Sequence, residues 1–169
     1  MSSPLEVWLR GPVPGIPAPL QPVAHALLQA REELTAALAD FPPALLAARP
    51  AGVASVGFHL QHMTGVLNRL LTYARRETLS EAQFAIFQQE ETPPTGPTAV
   101  AELLAAFARE VEAALAQLRA TDVNTLAEVR GVGRAQVPST HVGLLFHAAE
   151  HTMRHLGQLL VTARVARAA

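Results

Sequence analysis

The sequence contains no cysteine. Disulfides, thiol nucleophiles and every cysteine-based zinc or iron–sulfur site are therefore excluded. Lysine is missing as well, since all 13 basic residues are arginines. That excludes a phosphate-loop lysine and a lysine Schiff base. Aromatic residues make up only 5% of a chain that is half hydrophobic, so the apolar fraction is mostly Ala, Leu and Val. This mixture favours helix over sheet. Neither sign of charge dominates: the net charge is −1, with both signs interspersed, which leaves no basic field for nucleic acid or an anionic membrane. No apolar run approaches the ~20 residues of a membrane span. Met1 to Gly15 have neither a basic start nor an apolar core, so no signal peptide is expected there. The expected setting is soluble and cytoplasmic, with a small molecule as partner. At 169 residues the chain is long enough for one domain with a sizeable core.

What the chain does have is 13 prolines, and they divide it. Six lie between Pro4 and Pro22, three between Pro42 and Pro50, three between Pro93 and Pro97, and Pro138 stands alone. A proline inside a helix costs ~3 kcal/mol or more, so long helices belong in the gaps. From Pro22 to Leu38, the residues Val23, Leu27, Ala30, Leu34 and Leu38 recur at helical steps. Ser55 is an N-cap for a second helix through Arg76, with Val56, Leu60, Met63, Leu67, Leu70 and Ala74 as its apolar stripe. Ser80 to Gln83 resemble a capping box ahead of a shorter helix with Phe84 and Phe87. Thr98 opens the next long helix, and Ser139 or Thr140 caps a last one from about His141 to Arg164. Between these two, alternating runs around Gly131 and Gly133 predict a small hairpin or an ordered loop. The expected fold is all-α: one up-and-down-type four-helix-bundle domain over residues 1–169, with an extended Pro-rich arm over residues 1–20.

Seven histidines stand against these scarcities, and five fall in two segments. His59 and His62 lie on the second helix, and His147, His151 and His155 on the last. Residues four apart share one helix face, ~6 Å apart along the axis. Two imidazoles so placed can reach one metal ion. His151 with His155 is one such pair and His147 with His151 another; the third ligand would be His59 or His62. Neutral imidazoles suit Zn, Ni, Cu or Fe(II), and three protein ligands leave positions open for water or substrate. His25 and His141 stand alone and are expected to be structural. Glu150 is next to His151 in sequence but about 100° away around the helix, so it is not a ligand candidate.

Arg69 and Tyr73 project near the same line as His62, and Gln158 follows His155 by three residues. Arg69 could hold a substrate carboxylate, Tyr73 could donate a proton, and Gln158 could orient a ligand or water. The competing expectation pairs Arg69 with Glu102, Glu110 or Glu112 and leaves Tyr73 as packing. No serine elbow occurs, and Gly131-Val-Gly133 is too short for a phosphate loop.

Leu145-Phe-His-Ala-Ala-Glu-His-Thr-Met-Arg-His-Leu-Gly-Gln158 resembles the fourth-helix signature of the DinB/YfiT-like superfamily of bacterial four-helix-bundle proteins. Ser55-Val-Gly-Phe-His-Leu-Gln-His-Met63 resembles its second-helix signature. The similarity extends to Trp8-Leu-Arg-Gly-Pro12 and Pro22-Val-Ala-His-Ala-Leu-Leu28. The resemblance implies a divalent metal, nickel or zinc first and iron or manganese next, held by His62, His151 and His155. His59, His147 and Gln158 then become neighbours that brace the ligands or line the cavity. Glu150, Arg154 and Leu156 depart from the family pattern, none of them at a ligand position. Members of this kind include S-transferases using bacillithiol or mycothiol, and maleylpyruvate isomerases. The implied function is therefore a metal-dependent thiol transferase, possessing Arg69 and Tyr73 as candidate catalytic residues; the alternative is a non-enzymatic, stress-related bundle with a structural metal. Family members are often dimers, so a homodimer is expected.

Overall fold

A computed structural model describes residues 5–168. It is mostly helical, with five α-helices and one two-stranded antiparallel sheet. The helices are α1 (Gln21–Leu38), α2 (Val56–Ala74), α3 (Glu81–Gln89), α4 (Ala99–Ala120) and α5 (His141–Ala168). The strands β1 (Val129–Val132) and β2 (Val137–Thr140) pair from Val129 opposite Thr140 to Val132 opposite Val137. The mostly helical fold carries the small hairpin that the runs around Gly131 and Gly133 predicted. The segment before α5 is a true hairpin, turned by Gly133 and Gln136 at positive φ.

The local chemistry of each helix start is visible. Ser55 Oγ accepts from the Phe58 N–H at 3.1 Å. Ser80 and Gln83 complete a reciprocal capping box. Of the two candidates at α5, Thr140 does the work, its Oγ1 accepting from the Gly143 N–H at 3.0 Å. Thr98 opens α4 without capping it; its hydroxyl donates to Glu102 instead. Helix α2 stops at Ala74 because Arg76 turns to a φ of 65°. Helix α5 continues past Arg164 to Ala168, since nothing in that stretch breaks it.

The apolar stripes of α1, α2, α4 and α5 meet in one hydrophobic cluster. Leu34, Leu60, Leu67, Val111, Leu145 and Leu159 are among its fully buried members. Helix α2 packs on both α4 and α5, as does α1, while α3 packs chiefly on α2. The arm is not extended throughout. It forms 3-10 turns at Val7–Leu9 and Ala18–Leu20 and sinks Val7, Ile16 and Leu20 against the helices. Prolines fix φ near −65°, a value a 3-10 turn shares. Residues 1–4 of that arm lie outside the described residues. No described helix is long and apolar enough to cross a membrane.

Candidate metal centre

The α2–α5 contact brings the histidines together. His62 on α2 and His151 and His155 on α5 each offer a ligand nitrogen, and the three lie within 4.8 Å of one another. Two nitrogens each ~2.1 Å from one ion are at most ~4 Å apart, so small side-chain adjustments would seat a cation. His62 Nε2 lies 3.0 Å from His151 Nε2. The rings of His62 and His155 and those of His151 and His155 are each centred 4.5 Å apart. His151 Nδ1 is buried without a hydrogen-bond partner among the described residues. An all-imidazole donor set converging in this way fits a divalent transition-metal ion.

Burial sets the protonation of the cluster. Desolvation pushes the His59 and His151 pKa values down from 6.5 to about 4, and the charges of neighbouring rings push the same way. His155 is lowered for the same leading reason. His151 and His155 therefore stay neutral near pH 7, the form a metal would require of them.

Outer contacts hold two of the three candidate rings. His62 Nδ1 donates to Glu90 Oε2 at 2.7 Å, and Phe58 stacks on the ring at 5.1 Å, nearly parallel at 13°. His155 Nδ1 lies 3.0 Å from His59 Nδ1, which is buried. His147 sits farther out: its ring is 5.3 Å from His151 and its Nδ1 contacts Glu150 at 3.1 Å. Glu150 is engaged by Arg154 as well as His147. Gln158 lines a cavity of about 620 Å³ beside His59, together with Val53, Ala54, Arg154 and Val161.

Arg69 does not pair with Glu102, Glu110 or Glu112. Its Nη1 donates to Glu90 Oε1 at 2.6 Å, and its guanidinium lies 4.6 Å over the Phe87 ring. Glu110 accepts from Asn68, Glu112 pairs with Arg31, and Glu102 accepts from Thr98. Tyr73, a half-buried side chain, packs against the core. His25 bonds the Gly11 carbonyl, and His141 sits between Thr125 and Arg130, both away from the triad. Glu90 is the residue that sequence reasoning missed. It closes a short helix with no motif around it, and only its depth in the fold marks it.

A family model, that of the DinB superfamily, matches residues 26–159. This span runs from α1 into α5 and includes all three histidines of the triad. No curated protein matches the chain.

Proposed function

The chain belongs to the DinB superfamily, and on that premise we propose that it is a metal-dependent transferase using a low-molecular-weight thiol of the bacillithiol or mycothiol type. In this reading residues 1–169 form one four-helix-bundle domain, with residues 1–20 as its arm. His62, His151 and His155 hold nickel or zinc, with iron or manganese as the next choices. The observation that carries the reading is the convergence of three imidazole nitrogens within 4.8 Å. When bound, the metal would supply Lewis acidity that lowers the pKa of a coordinated thiol or water.

The chain's own residues do the remaining work. With no cysteine in the sequence, the sulfur must arrive with the substrate. Three protein ligands leave coordination positions for it. Glu90 and His59 brace the rings of His62 and His155. Arg69 is the candidate clamp for a substrate carboxylate, exchanging Glu90 for it, and Tyr73 is the candidate proton donor. Gln158 is placed to orient a ligand entering the cavity beside His59. A cytoplasmic homodimer is the form we propose.

Transferase assays with bacillithiol, mycothiol and glutathione on nickel- and zinc-loaded protein test this reading. Turnover with at least one thiol, lost in His155→Ala, is the expected result; no turnover with any of them on several electrophiles would sink it. A second reading, a non-enzymatic bundle with a structural metal, draws on the placement of the triad. Its ligands come from α2 and α5, so an ion there would also join two helices. If His62→Ala and His155→Ala lose metal and a large part of the melting temperature, while no added ligand perturbs the site, this second reading is favoured.

A further inference from the structure

Over residues 81–92, comprising α3 and the residues that follow it, one side chain is buried, and it is a glutamate. Glu90 is 3% exposed, while Ile86 and Phe87 in the same stretch are 56% and 52% exposed. A segment packed for stability alone would do the reverse, because burying a carboxylate is costly unless it is paired. Both Glu90 oxygens are paired. Oε2 accepts from His62 Nδ1 at 2.7 Å, and Oε1 accepts from Arg69 Nη1 at 2.6 Å. Gln61 on α2 donates to the carbonyls of Gln89 and Glu90, each at 2.9 Å, which pins the end of α3 onto α2.

The backbone makes room for this arrangement at Gly65. A Cβ there would lie 2.3 Å from Glu90 Oε1 and 2.7 Å from Arg69 Nη1, far inside van der Waals contact. Glycine on α2, one turn from His62, is what lets the buried carboxylate reach the imidazole.

We propose that Glu90 is a positioning residue for metal binding: from the end of α3 it fixes the His62 ring and keeps the ring proton on Nδ1, so that Nε2 presents its lone pair to the ion. A carboxylate accepts and does not donate, so the ring turns an N–H toward it. A neutral imidazole has a single N–H, which leaves Nε2 as the free acceptor. The carboxylate also makes that nitrogen a stronger ligand. Arg69 supplies the compensating charge. The proposal rests on the metal reading of the triad for the use to which Nε2 is put; the bond between Glu90 and His62 stands apart from it.

Two measurements on the full chain test this. Long-range 1H–15N NMR of the metal-free protein reads the His62 tautomer. The Nδ1–H form is expected in the wild type, and a loss of that preference is expected in Glu90→Gln, whose amide both donates and accepts. Competition for nickel or zinc against a chromophoric chelator reads affinity, expected to fall about 10–100-fold in Glu90→Gln. Gly65→Ala, which keeps both charges but displaces the carboxylate, should lose affinity in the same direction, and Glu102→Gln should lose none. A wild-type His62 protonated on Nε2 overturns the inference, as does a Glu90→Gln variant that binds metal like the wild type. If Glu90→Gln does not fold, the wild-type tautomer and Gly65→Ala decide. Wild-type protein that binds neither ion overturns the metal reading of the triad; wild-type protein that binds while both variants bind equally well overturns only the role of Glu90.

Discussion

At the scale of single residues, the buried imidazoles give the protein a pH dependence of definite sign. His59 and His151 ionise near 6.5 in the unfolded chain but only near about 4 in the folded one. Between those values the unfolded chain takes up protons that the folded one refuses. The stability of the metal-free protein is therefore fully present above pH 6.5 and falls as the pH drops toward about 4. His141, lowered by burial and by Arg130, contributes in the same direction. Urea unfolding of the metal-free protein at pH 7 and pH 5 should show a lower midpoint at pH 5 with an unchanged slope. A midpoint that holds or rises would contradict the burial of neutral rings. The histidines themselves were legible, because four-residue spacing on one helix is a sequence property. Their partner Glu90 was not. It lies 28 residues from His62, just past the end of another helix, and which carboxylate meets the ring depends on how α3 docks, which no local period encodes. The same reason misdirected the expected partners of Arg69 to α4.

Elements were read best where a side chain announces them. Ser55, Ser80 and Thr140 each satisfy an orphan backbone N–H at a helix start. Thr98 looks identical in sequence, yet its own backbone is already helical, at φ −94° and ψ −7°. An effective cap needs an extended backbone to swing its oxygen over the first turn. Ser55→Ala should accordingly cost about 1 kcal/mol of unfolding free energy, whereas Thr98→Ala should cost close to none, both measured by urea denaturation. Equal losses would mean that the cap geometry is not what distinguishes them. Helix ends were harder to read than helix starts. The stop of α2 depends on Arg76 adopting a left-handed backbone, a conformation that arginine does not signal. Arg130 from β1 then donates to the Ala74 carbonyl at 3.0 Å, so the hairpin caps the end of α2.

For the whole molecule, proline spacing and the 3.6-residue period located the four long helices, and their stripes do share one cluster. The period also marked α3 as a helix but could not place it outside that cluster on α2, since its apolar residues face outward. The arm's turns are not legible in its sequence because prolines permit extended and 3-10 backbone alike. The sequence distance between the two ligand helices has a kinetic consequence. His62 and His151 are 89 residues apart, so an unfolded chain offers an ion only local histidine pairs, such as His151 with His155 or His59 with His62. In the proposed site the third imidazole joins only when the two halves of the chain dock. An ion bound to the triad then acts as a late latch: at a free concentration 100 times its Kd it should slow unfolding about 100-fold and leave refolding unchanged. Stopped-flow unfolding and refolding with and without nickel or zinc reads both rates. Faster refolding with the ion would instead place the docking of α2 and α5 ahead of the folding barrier.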